Sequence, residues 1–404
     1  MKLKHHFQVL QELIKELTIL VHICCAVDSH YFLQKLQLQY PNERLIGFFY
    51  DPNIHPYSEY RLRLLEVERS CKMLGIKLIE GEYDTNSWLE AVRGFEKEPE
   101  KGARCAVCFD RRFEVTAQKA SQLGEKKFTS TLLTSPKKSL KQLKKAVELQ
   151  EKEITTTLLT SPKKSLKQLK HSGDILGNKF GIGFIAPDYR KASGTQEQNI
   201  LAKKDSLYRQ DYCGCLFGLT MQREQQQKLA DELFSHISGQ IQPESIEARI
   251  ELYKKRLEYE DNGIEYNIVK ERFLNWRNTY GVLKIKKEAI PAHFLPYSTL
   301  KSEYTRGKID IHIKNIHYMN RDEVKFITLE KYNNLTKKSY KTVKELIFNP
   351  PLFEDEINLR NKLISNPYDL SMIVVVLDIP TKKVEIFYKS HIYQDVKEVL
   401  LKKS

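Results

Sequence analysis

The stretch TILVHICCAVDS (residues 18–29) places two adjacent cysteines directly after a short apolar run. The run TILVHI is typical of a buried strand, and the residues after it predict a helix from about 29 to 40. The same alternation continues, with a strand at LIGFFY (45–50), a helix at 57–74 and a strand at IKLIEGEY (76–83). Strands that alternate with helices predict an α/β fold, with a Rossmann-like parallel sheet covered by helices on both faces.

The two cysteines fall where such a sheet is expected to bind a ligand. Parallel sheets bind ligands at the carboxyl ends of their strands. Cys24 and Cys25 lie at the end of the first predicted strand, and the loop DPNIHP (51–56) follows the second. We therefore expect a functional site at this edge of the sheet.

The composition predicts a folded chain with an anionic partner. Of the 404 residues, 41% are hydrophobic, which is enough to build a core. The formal net charge of +14 favours a nucleic acid or an anionic membrane surface, although a lysine-rich composition without any partner would give the same number. The apolar runs are far shorter than the ~20 residues that a membrane span requires. No secretory signal is evident, so we expect a cytoplasmic protein that does not bind membranes.

An internal duplication interrupts the first half of the chain. The segment TLLTSPKKSLKQLK occurs at 131–144 and again, unchanged, at 157–170, an offset of 26 residues within the region 129–180. Two copies are too few for a repeat architecture. We expect one copy to supply a strand, a turn and a helix of the sheet, and the other to be a surface insertion. The sequence leaves open which copy is which.

A second domain is predicted after residue 239, so that the chain divides into 1–239 and 240–404. The cysteines end at Cys215, and a glutamine-rich helix is predicted at 222–237. The remainder predicts a C-terminal α+β accessory domain of unknown function, without metal ligands. Its predicted elements are a charged helix at 244–260 and strands at KIDIHIKNI (308–316), VKFITL, SMIVVVLDI and KVEIFY. The basic, aromatic stretch 271–287 is either an RNA contact or an ordinary packed helix and strand.

Six of the seven cysteines form three close pairs, namely Cys24-Cys25, Cys105-x-x-Cys108 and Cys213-x-Cys215. The seventh, Cys71, lies in a helical pattern and is expected to be an ordinary thiol. Clustered cysteines in a cytosolic α/β chain predict metal binding or redox chemistry. Six thiols exceed the four ligands of a structural zinc site or of one iron–sulfur cluster. Either a second metal shares the site, or two thiols remain for redox work as a disulfide.

Asp28 adds a hard oxygen donor three residues after the adjacent cysteines. It is a candidate iron ligand, although it could instead cap the helix that is predicted to begin near Ser29. Neighbouring side chains on a strand point to opposite sides. Cys24 and Cys25 are therefore expected to serve two neighbouring metal centres, unless the chain bends between them.

The same stretch is similar to the phosphate-binding turn of PP-loop tRNA-modifying enzymes, which reads Ser-Gly-Gly-x-Asp-Ser. Asp28 and Ser29 keep the end of that pattern, and cysteines replace its glycines. Because glycines let backbone N–H groups approach a phosphate, their loss predicts a related PP-loop/HUP-like fold with a metal site in place of the nucleotide site.

Residues 17–218 resemble the QueH-type epoxyqueuosine reductases. The motifs that carry the resemblance are His22-x-Cys24-Cys25-Ala26, YDPNIHP (50–56), Cys105-x-x-Cys108 followed by Arg112, TLL with Ser135-Pro136, DYRK (188–191) and YRQ-x-YCGC (208–215). This chain departs from the family at Val27, where proline is common, and at Lys137-Lys138, where aromatic residues are usual. The duplication and the domain after residue 239 lie outside the common core.

The resemblance implies that the first domain is an iron–sulfur catalytic domain acting on tRNA with a GUN anticodon. Such enzymes reduce the epoxide of epoxyqueuosine at the wobble position to give queuosine, without cobalamin. The implied cofactors are a [4Fe-4S] cluster and an additional mononuclear iron, with electrons from an unidentified reductant protein. The implied metal ligands are Cys24, Cys25, Asp28, Cys105, Cys108, Cys213 and Cys215.

Removing an epoxide oxygen needs protons as well as electrons. The predicted proton donors are His55, Asp188 and Tyr208, although His55 could instead fix the turn in which it lies. The predicted tRNA-binding and substrate-binding residues are Asn53, Arg112, Arg190, Lys191, Arg209, Gln210 and Tyr212. The basic ones could instead form ion pairs within the fold, and the tyrosines could pack rather than stack on bases.

Two other functions remain open from the sequence. A PP-loop-like tRNA thiolase would use ATP and an iron–sulfur cluster, and it would need the phosphate-binding glycines that are missing here. A zinc-stapled RNA-binding protein would hold zinc and would catalyse no reaction.

Overall fold

The computed structural model describes residues 18–100, 102–133, 178–189, 193–226, 230–234, 242–296, 302–321 and 324–403. Most of the duplicated segment lies outside these residues. The chain divides into two compact units, Met1–Leu229 and Ala230–Ser404. Among the described helices, none has the length and apolar character needed to cross a bilayer.

The described part of the first unit contains a parallel sheet flanked by helices. Its strands are β1 (Thr18–Ile23), β2 (Arg44–Phe49), β3 (Lys77–Glu80), β4 (Lys127–Ser130) and β5 (Gly183–Phe184). Its helices are α1 (Ala26–Gln39), α2 (Tyr57–Met73), α3 (Thr85–Ala91), α4 (Ala103–Gln122), α5 (Gly194–Lys204) and α6 (Leu216–Gln225), with a 3₁₀ turn at Thr131–Leu133. All strand pairings are parallel, in the order β3-β2-β1-β4-β5. This confirms the Rossmann-like α/β fold.

The chain path explains where the site lies. β1 is the central strand, and all six of its residues are buried. From β1 the chain first forms β2 and β3 on one side of that strand, and then β4 and β5 on the other side. Right-handed crossovers therefore place α1 and α2 on one face and α4 on the other. The reversal of strand order at β1 and β4 opens a crevice at their carboxyl ends, where Cys24 follows β1 and Thr131 follows β4.

Several local predictions for the first unit need correction. The first helix begins at Ala26 rather than near Ser29. The glutamine-rich helix begins at Leu216 and ends at Gln225, and a separate short helix, α7 (Asp231–Phe234), follows in the second unit. Helices α3 and α4 were not predicted. Cys71 lies buried in α2, as an ordinary core thiol.

The second unit is an α+β unit with two sheets among its described residues. Its helices after α7 are α8 (Ile246–Asp261), α9 (Leu329–Thr336), α10 (Val343–Phe348) and α11 (Phe353–Leu363). One sheet has the order β10-β11-β12-β13-β8, and the other has the order β7-β6-β14-β9. The strands are β6 (Tyr266–Ile285), β7 (Glu288–Ile290), β8 (His293–Phe294), β9 (Ser302–Gly307), β10 (Ile309–Ile313), β11 (Ile316–Met319), β12 (Lys325–Thr328), β13 (Ile373–Val376) and β14 (Val384–Lys402).

Two predictions for this unit were wrong in detail. The stretch 271–287 is not a helix followed by a strand, because β6 is continuous and pairs antiparallel with β14 along almost its whole length. KIDIHIKNI is not one strand either. Lys314 and Asn315 have φ values of 51° and 62° and form a tight turn between β10 and β11.

Candidate metal centre and substrate cavity

The chain bends sharply at the two adjacent cysteines. β1 ends at Ile23, and Cys25 is the N-cap of α1 with extended backbone. Cys24 Sγ lies 3.9 Å from Cys25 Sγ and 3.7 Å from Asp28 Oδ2. The expectation that the two thiols serve two metal centres allowed for a bend of the chain as its exception, and the bend is what occurs, because strand geometry ends before the cysteines. Asp28 is also not a helix cap, since it lies within the first turn of α1.

These three side chains form a donor set that suits one metal ion. All three are buried, and their ligand atoms lie within 4.8 Å of one another. Two sulfurs bound at about 2.3 Å to one tetrahedral metal lie about 3.8 Å apart, which matches the observed spacing. The Cys24 thiol, burial and the Asp28 carboxylate together raise the pKa of Cys25. A bound cation would reverse this shift, because it favours the thiolate.

A second group contains the other four paired cysteines. Cys105 and Cys108 lie in the first two turns of α4, and Cys213 and Cys215 lie in the loop before α6. Burial, together with the nearby Cys213 and Cys105 thiols, raises the pKa of Cys108 to about 12, although the Arg112 guanidinium opposes this rise. Cys108 and Cys215 also pack in one apolar cluster with Trp88. The four thiols thus form one neighbourhood, with the number of ligands that a single iron–sulfur cluster requires.

Arg112 joins the two groups of thiols. It is 1% exposed and lies one helical turn after Cys108. Its Nη2 donates to Asp51, and its Nε donates to His22 Nε2 at 3.3 Å. Burial opposes its charge, but the neighbouring Asp51, Cys108, Cys24 and Cys213 outweigh this and raise the pKa of Arg112. A fixed cation therefore lies between the two groups and compensates part of their negative charge.

Arg63 of α2 holds the loop that carries Cys213. Its Nη1 donates to the Cys213 carbonyl at 3.0 Å, and its Nη2 donates to the Tyr212 carbonyl at 3.1 Å. Its guanidinium also lies 5.2 Å from the centroid of the Tyr212 ring. The buried Glu59 accepts from Arg63 Nε at 2.7 Å. The cysteine loop is thereby fixed to a helix of the sheet.

A cavity of about 300 Å³ opens beside both groups of thiols. Its lining combines thiols, carboxylates, amides and cations, which is the polar mixture expected for a substrate site. The lining residues are Cys24, Val27, Asp28, Asp51, Arg63, Glu100, Arg112, Thr195, Gln198, Asn199, Arg209, Gln210, Tyr212 and Cys213. Of the predicted substrate-binding residues, Arg112, Arg209, Gln210 and Tyr212 therefore reach this cavity.

His55 and Tyr208 make contacts that hold loops, and none of the three predicted proton donors is among the described residues that line the cavity. His55 Nδ1 lies 2.9 Å from the Asn53 carbonyl, and the Tyr212 hydroxyl donates to the His55 carbonyl at 2.5 Å. The Tyr208 hydroxyl donates to Glu59 Oε2 at 3.0 Å. Asp188 lies in the segment after β5. Asn53 is buried beneath the loop. Arg190 and Lys191 lie outside the described residues.

Sequence reasoning missed three residues that shape the site, namely Gln198, Arg63 and Asp51. Gln198 Nε2 donates to Asp28 Oδ1 at 2.9 Å and to the Val27 carbonyl at 3.3 Å. Asp51 begins the loop DPNIHP (51–56), and its position directly after a strand was a usable signal for a site residue. Arg63 and Gln198 are single polar residues in ordinary helices, so their local patterns carry no signal.

The fold and the site together define an α/β protein with a thiol-rich candidate metal centre at the carboxyl edge of a parallel sheet. The family model for epoxyqueuosine reductase QueH matches residues 19–152 and 140–221. The epoxyqueuosine reductase QueH of Helicobacter pylori is 35% identical over 94% of this chain and 99% of its own length. The chain therefore belongs to the epoxyqueuosine reductase QueH family.

Other relatives match about half of the chain. The epoxyqueuosine reductase QueH of Thermotoga maritima is 31% identical over 216 residues, which are 53% of this chain and 96% of that protein. The solved structure of the U34-tRNA thiolase NcsA from Methanococcus maripaludis with its [4Fe-4S] cluster covers 60% of this chain and 73% of its own, at 17% identity. Its TM-score of 0.34 is too low to relate the two molecules.

Proposed function

We propose that this protein is an oxidoreductase that reduces the epoxide of epoxyqueuosine in tRNA to give queuosine, without cobalamin. The observation that carries the proposal is the donor set of Cys24, Cys25 and Asp28 at the wall of a cavity. Its spacing suits one metal with three protein ligands, and such a metal keeps a position open for substrate. Membership of the QueH family supplies the reaction.

The two thiol groups fit two metal centres. We assign a [4Fe-4S] cluster to Cys105, Cys108, Cys213 and Cys215, and a mononuclear iron to the Cys24, Cys25 and Asp28 set. This division uses all six paired cysteines as ligands and leaves no pair for a redox-active disulfide. When bound, these centres would supply the electrons and the Lewis acid that epoxide opening needs.

The residues of the chain bind, orient and shield the substrate. Arg209 and Gln210 line the cavity beside the thiols, where they can hold the modified nucleoside and its phosphate. Cys24, Cys25 and Asp28 are at most 6% exposed, so bulk water is largely excluded from the reacting end of the cavity. The buried Arg112 stays protonated and keeps a positive charge between the thiol groups.

The proton donor remains a prediction among His55, Asp188 and Tyr208. Burial lowers the pKa of His55. Its ring is therefore neutral at pH 7 and is a weak acid there. The Tyr208 hydroxyl is held by Glu59. These contacts favour a role for His55 and Tyr208 in positioning the loops rather than in direct proton transfer.

The proposed partners follow from the reaction. The substrate is a tRNA of the GUN anticodon class, the electrons come from an external reductant protein, and the compartment is the cytoplasm. The net charge of +14 suits a tRNA partner.

The proposal is tested by comparing Cys213→Ala with Cys71→Ala after anaerobic purification. Both changes remove one thiol, but Cys71 is a buried thiol of α2 that belongs to neither of the two thiol groups. We expect wild type and Cys71→Ala to contain iron and sulfide and to form queuosine in tRNA. Cys213→Ala should lose the cluster colour and the activity.

Three results would contradict the proposal. A colourless, folded Cys213→Ala variant that still forms queuosine would remove the cluster assignment. Stoichiometric zinc without sulfide in the wild type would point to the zinc-stapled RNA-binding protein. ATP-dependent transfer of sulfur to tRNA would point to the thiolase.

A further inference from the structure

The sheet β7-β6-β14-β9 in the second unit has one covered face and one open face. Side chains alternate along β14, and Val384, Ile386 and Tyr388 are at most 2% exposed. They pack in the core together with Leu283 of β6. The residues between them, Glu385, Phe387 and Lys389, point to the other face. That face is solvent-accessible, and we call it the open face.

Aromatic rings occupy the middle of the open face. Phe387 pairs directly with Tyr304 of β9 and with Val282 of β6. The ring centroids of Phe387 and Tyr304 lie 4.7 Å apart. Tyr280, paired with Lys389, lies next along the same face. Tyr304 and Tyr280 are 57% and 51% exposed. About half of each side chain is therefore accessible to a stacking partner.

Cations surround these rings. Lys284 Nζ lies 5.1 Å from the centroid of the Phe387 ring, and Lys389 is exposed beside Tyr280. Arg306 Nε pairs with Glu385 at 3.1 Å. The adjoining turns add four exposed lysines, namely Lys286, Lys287, Lys382 and Lys383. Lys382 and Lys383 directly precede Val384, and Lys286 and Lys287 directly follow Ile285. Because Val384 pairs with Ile285, the two turns lie side by side at one end of the sheet.

We propose that the open face binds single-stranded RNA, with bases stacked on Tyr280 and Tyr304 and phosphates held by the surrounding lysines. Exposed rings on a sheet, with lysines at their edges, give stacking surfaces for unpaired bases and positive charge for the backbone. An apolar protein partner covering this face would leave these lysines buried and unpaired, which is costly. The proposal goes beyond the reduction at the first unit and does not depend on it.

The test measures the affinity of the full-length protein for a fluorescein-labelled 12-residue oligouridylate. The Tyr280→Ala/Tyr304→Ala variant should raise Kd about fivefold or more for each ring that stacks a base. Lys284→Glu should weaken binding and lower the slope of log K against log salt by about 0.7. The matched controls are Tyr368→Ala, at an 88% exposed tyrosine of the same unit, and Lys344→Glu in α10. Both should bind like the wild type.

A second measurement does not depend on any variant folding. The wild-type chain is crosslinked to the same oligonucleotide carrying 4-thiouridine, and the attached peptides are identified. Crosslinks within 280–306 and 382–389 are expected. The proposal is overturned if every crosslink falls before residue 230, or if the double tyrosine variant folds and binds as tightly as Tyr368→Ala. An equal loss of affinity for a duplex RNA would overturn the assignment to unpaired bases. No metal or turnover enters these measurements, so their outcome is separate from that of the reductase assay.

Discussion

A single amide fixes the orientation of the oxygen donor at the proposed metal centre. Gln198 of α5 is 2% exposed, and its Nε2 donates both to Asp28 Oδ1 and to the Val27 carbonyl. With Oδ1 occupied in this way, Oδ2 faces the Cys24 thiol. Hydrogen bonds of this kind orient metal-binding carboxylates and tune their affinity.

Gln198→Leu should therefore weaken metal binding at this centre by about 10- to 100-fold. The reason is that leucine keeps the volume but leaves Asp28 Oδ1 without its amide donor. Co²⁺ binding to the anaerobic apoprotein, followed by its visible absorption, measures the affinity without any turnover.

The control for this change is Gln37→Leu, at the other end of α1. Gln37 makes a comparable hydrogen bond, from its Nε2 to the Leu74 carbonyl at 3.2 Å. It should bind Co²⁺ like the wild type. Equal affinities for Gln198→Leu and Gln37→Leu would show that the amide does not position Asp28.

The sequence predicted which residues are candidate metal ligands better than it predicted how their side chains are arranged. Cys24, Cys25 and Asp28 were predicted as metal ligands from residue type and position, and the structure brings them together. The bend between the cysteines was not predictable, because the apolar pattern that marks the strand says nothing about the backbone direction of the residues that follow it. Gln198 escaped prediction for another reason, since its contact with Asp28 spans 170 positions of the chain.

At the scale of elements, one glycine sets the shape of the cysteine loop. Gly214 has a φ of +108°, and a Cβ there would lie 2.9 Å from Ile54 Cγ1 and 3.0 Å from Arg63 Nη1. Gly214→Ala should therefore destabilise the protein by about 1–3 kcal/mol through backbone strain. It should also lower the iron content, because the loop that carries Cys213 and Cys215 must move.

The control is Gly75→Ala at the end of α2. Gly75 also has a positive φ, of +66°, but a Cβ there would meet nothing within 4 Å. Gly75→Ala should lower the free energy of unfolding by about 1 kcal/mol and leave the iron content unchanged. Urea denaturation and iron analysis of both variants make the comparison. Full iron content in Gly214→Ala would contradict the steric argument.

A loop in the second unit should make stability depend on acid pH. Burial opposes the charge of Asp369, but hydrogen bonds from Lys325 and Ser371 outweigh it and lower its pKa to about 2. A carboxyl group whose pKa is depressed on folding stabilises the protein above its unfolded pKa, about 3.9. That contribution, of about 2 kcal/mol, is lost as the pH falls from about 4 to about 2.

Asp369→Asn removes this dependence, whereas Asp310→Asn, at an exposed position of β10, keeps it. The free energy of unfolding of the wild type should therefore approach that of Asp369→Asn as the pH is lowered from 5 to 2.5. A constant difference across this range, measured by urea denaturation, would show that the carboxylate is not stabilised by its neighbours.

The predicted secondary structure was wrong where pairing between strands overrides the local sequence pattern. Adjacent apolar residues in β6, such as Phe273-Leu274 and Val282-Leu283, break strict alternation and favoured a helix. The pairing of β6 with β14 holds the whole segment extended, and no local pattern reports a partner more than a hundred residues away. By contrast, β1, β2 and α2 were predicted almost to their ends, because each is a periodic segment bounded by glycine, proline or a charged turn.

At the scale of the whole molecule, some relatives match only about half of the chain, whereas another matches both units. The family model matches only within the first unit, and 216 matched residues account for 96% of the Thermotoga maritima protein. The Helicobacter pylori relative spans both units. A first unit without a second thus exists among relatives, and we expect residues 1–229 of this chain to fold alone.

The chain cut after Leu229 should hold the same iron and sulfide per molecule as the full-length protein, because every predicted ligand lies before that residue. Its affinity for oligouridylate should fall, since the open face is removed. Metal analysis, circular dichroism and the binding assay measure these three properties. Loss of iron from a folded fragment would show that the second unit contributes to the metal site.

The residues around Arg112 come from distant parts of the chain, and their order of synthesis bears on when the proposed metal sites can form. The groups around this guanidinium come from Cys24, Asp51, Cys108 and Cys213, so they leave the ribosome in a long succession. At about 5–20 residues per second, roughly 10–40 s pass between the synthesis of Cys25 and that of Cys215. Until Cys213 and Cys215 are synthesised, the proposed cluster site lacks two of its four thiols, and the earlier thiols are open to oxidation or to the wrong metal. If the proposed cluster is bound, its delivery must wait for a nearly finished first unit, and the yield of loaded protein should depend on how well the cell protects the thiols in that time.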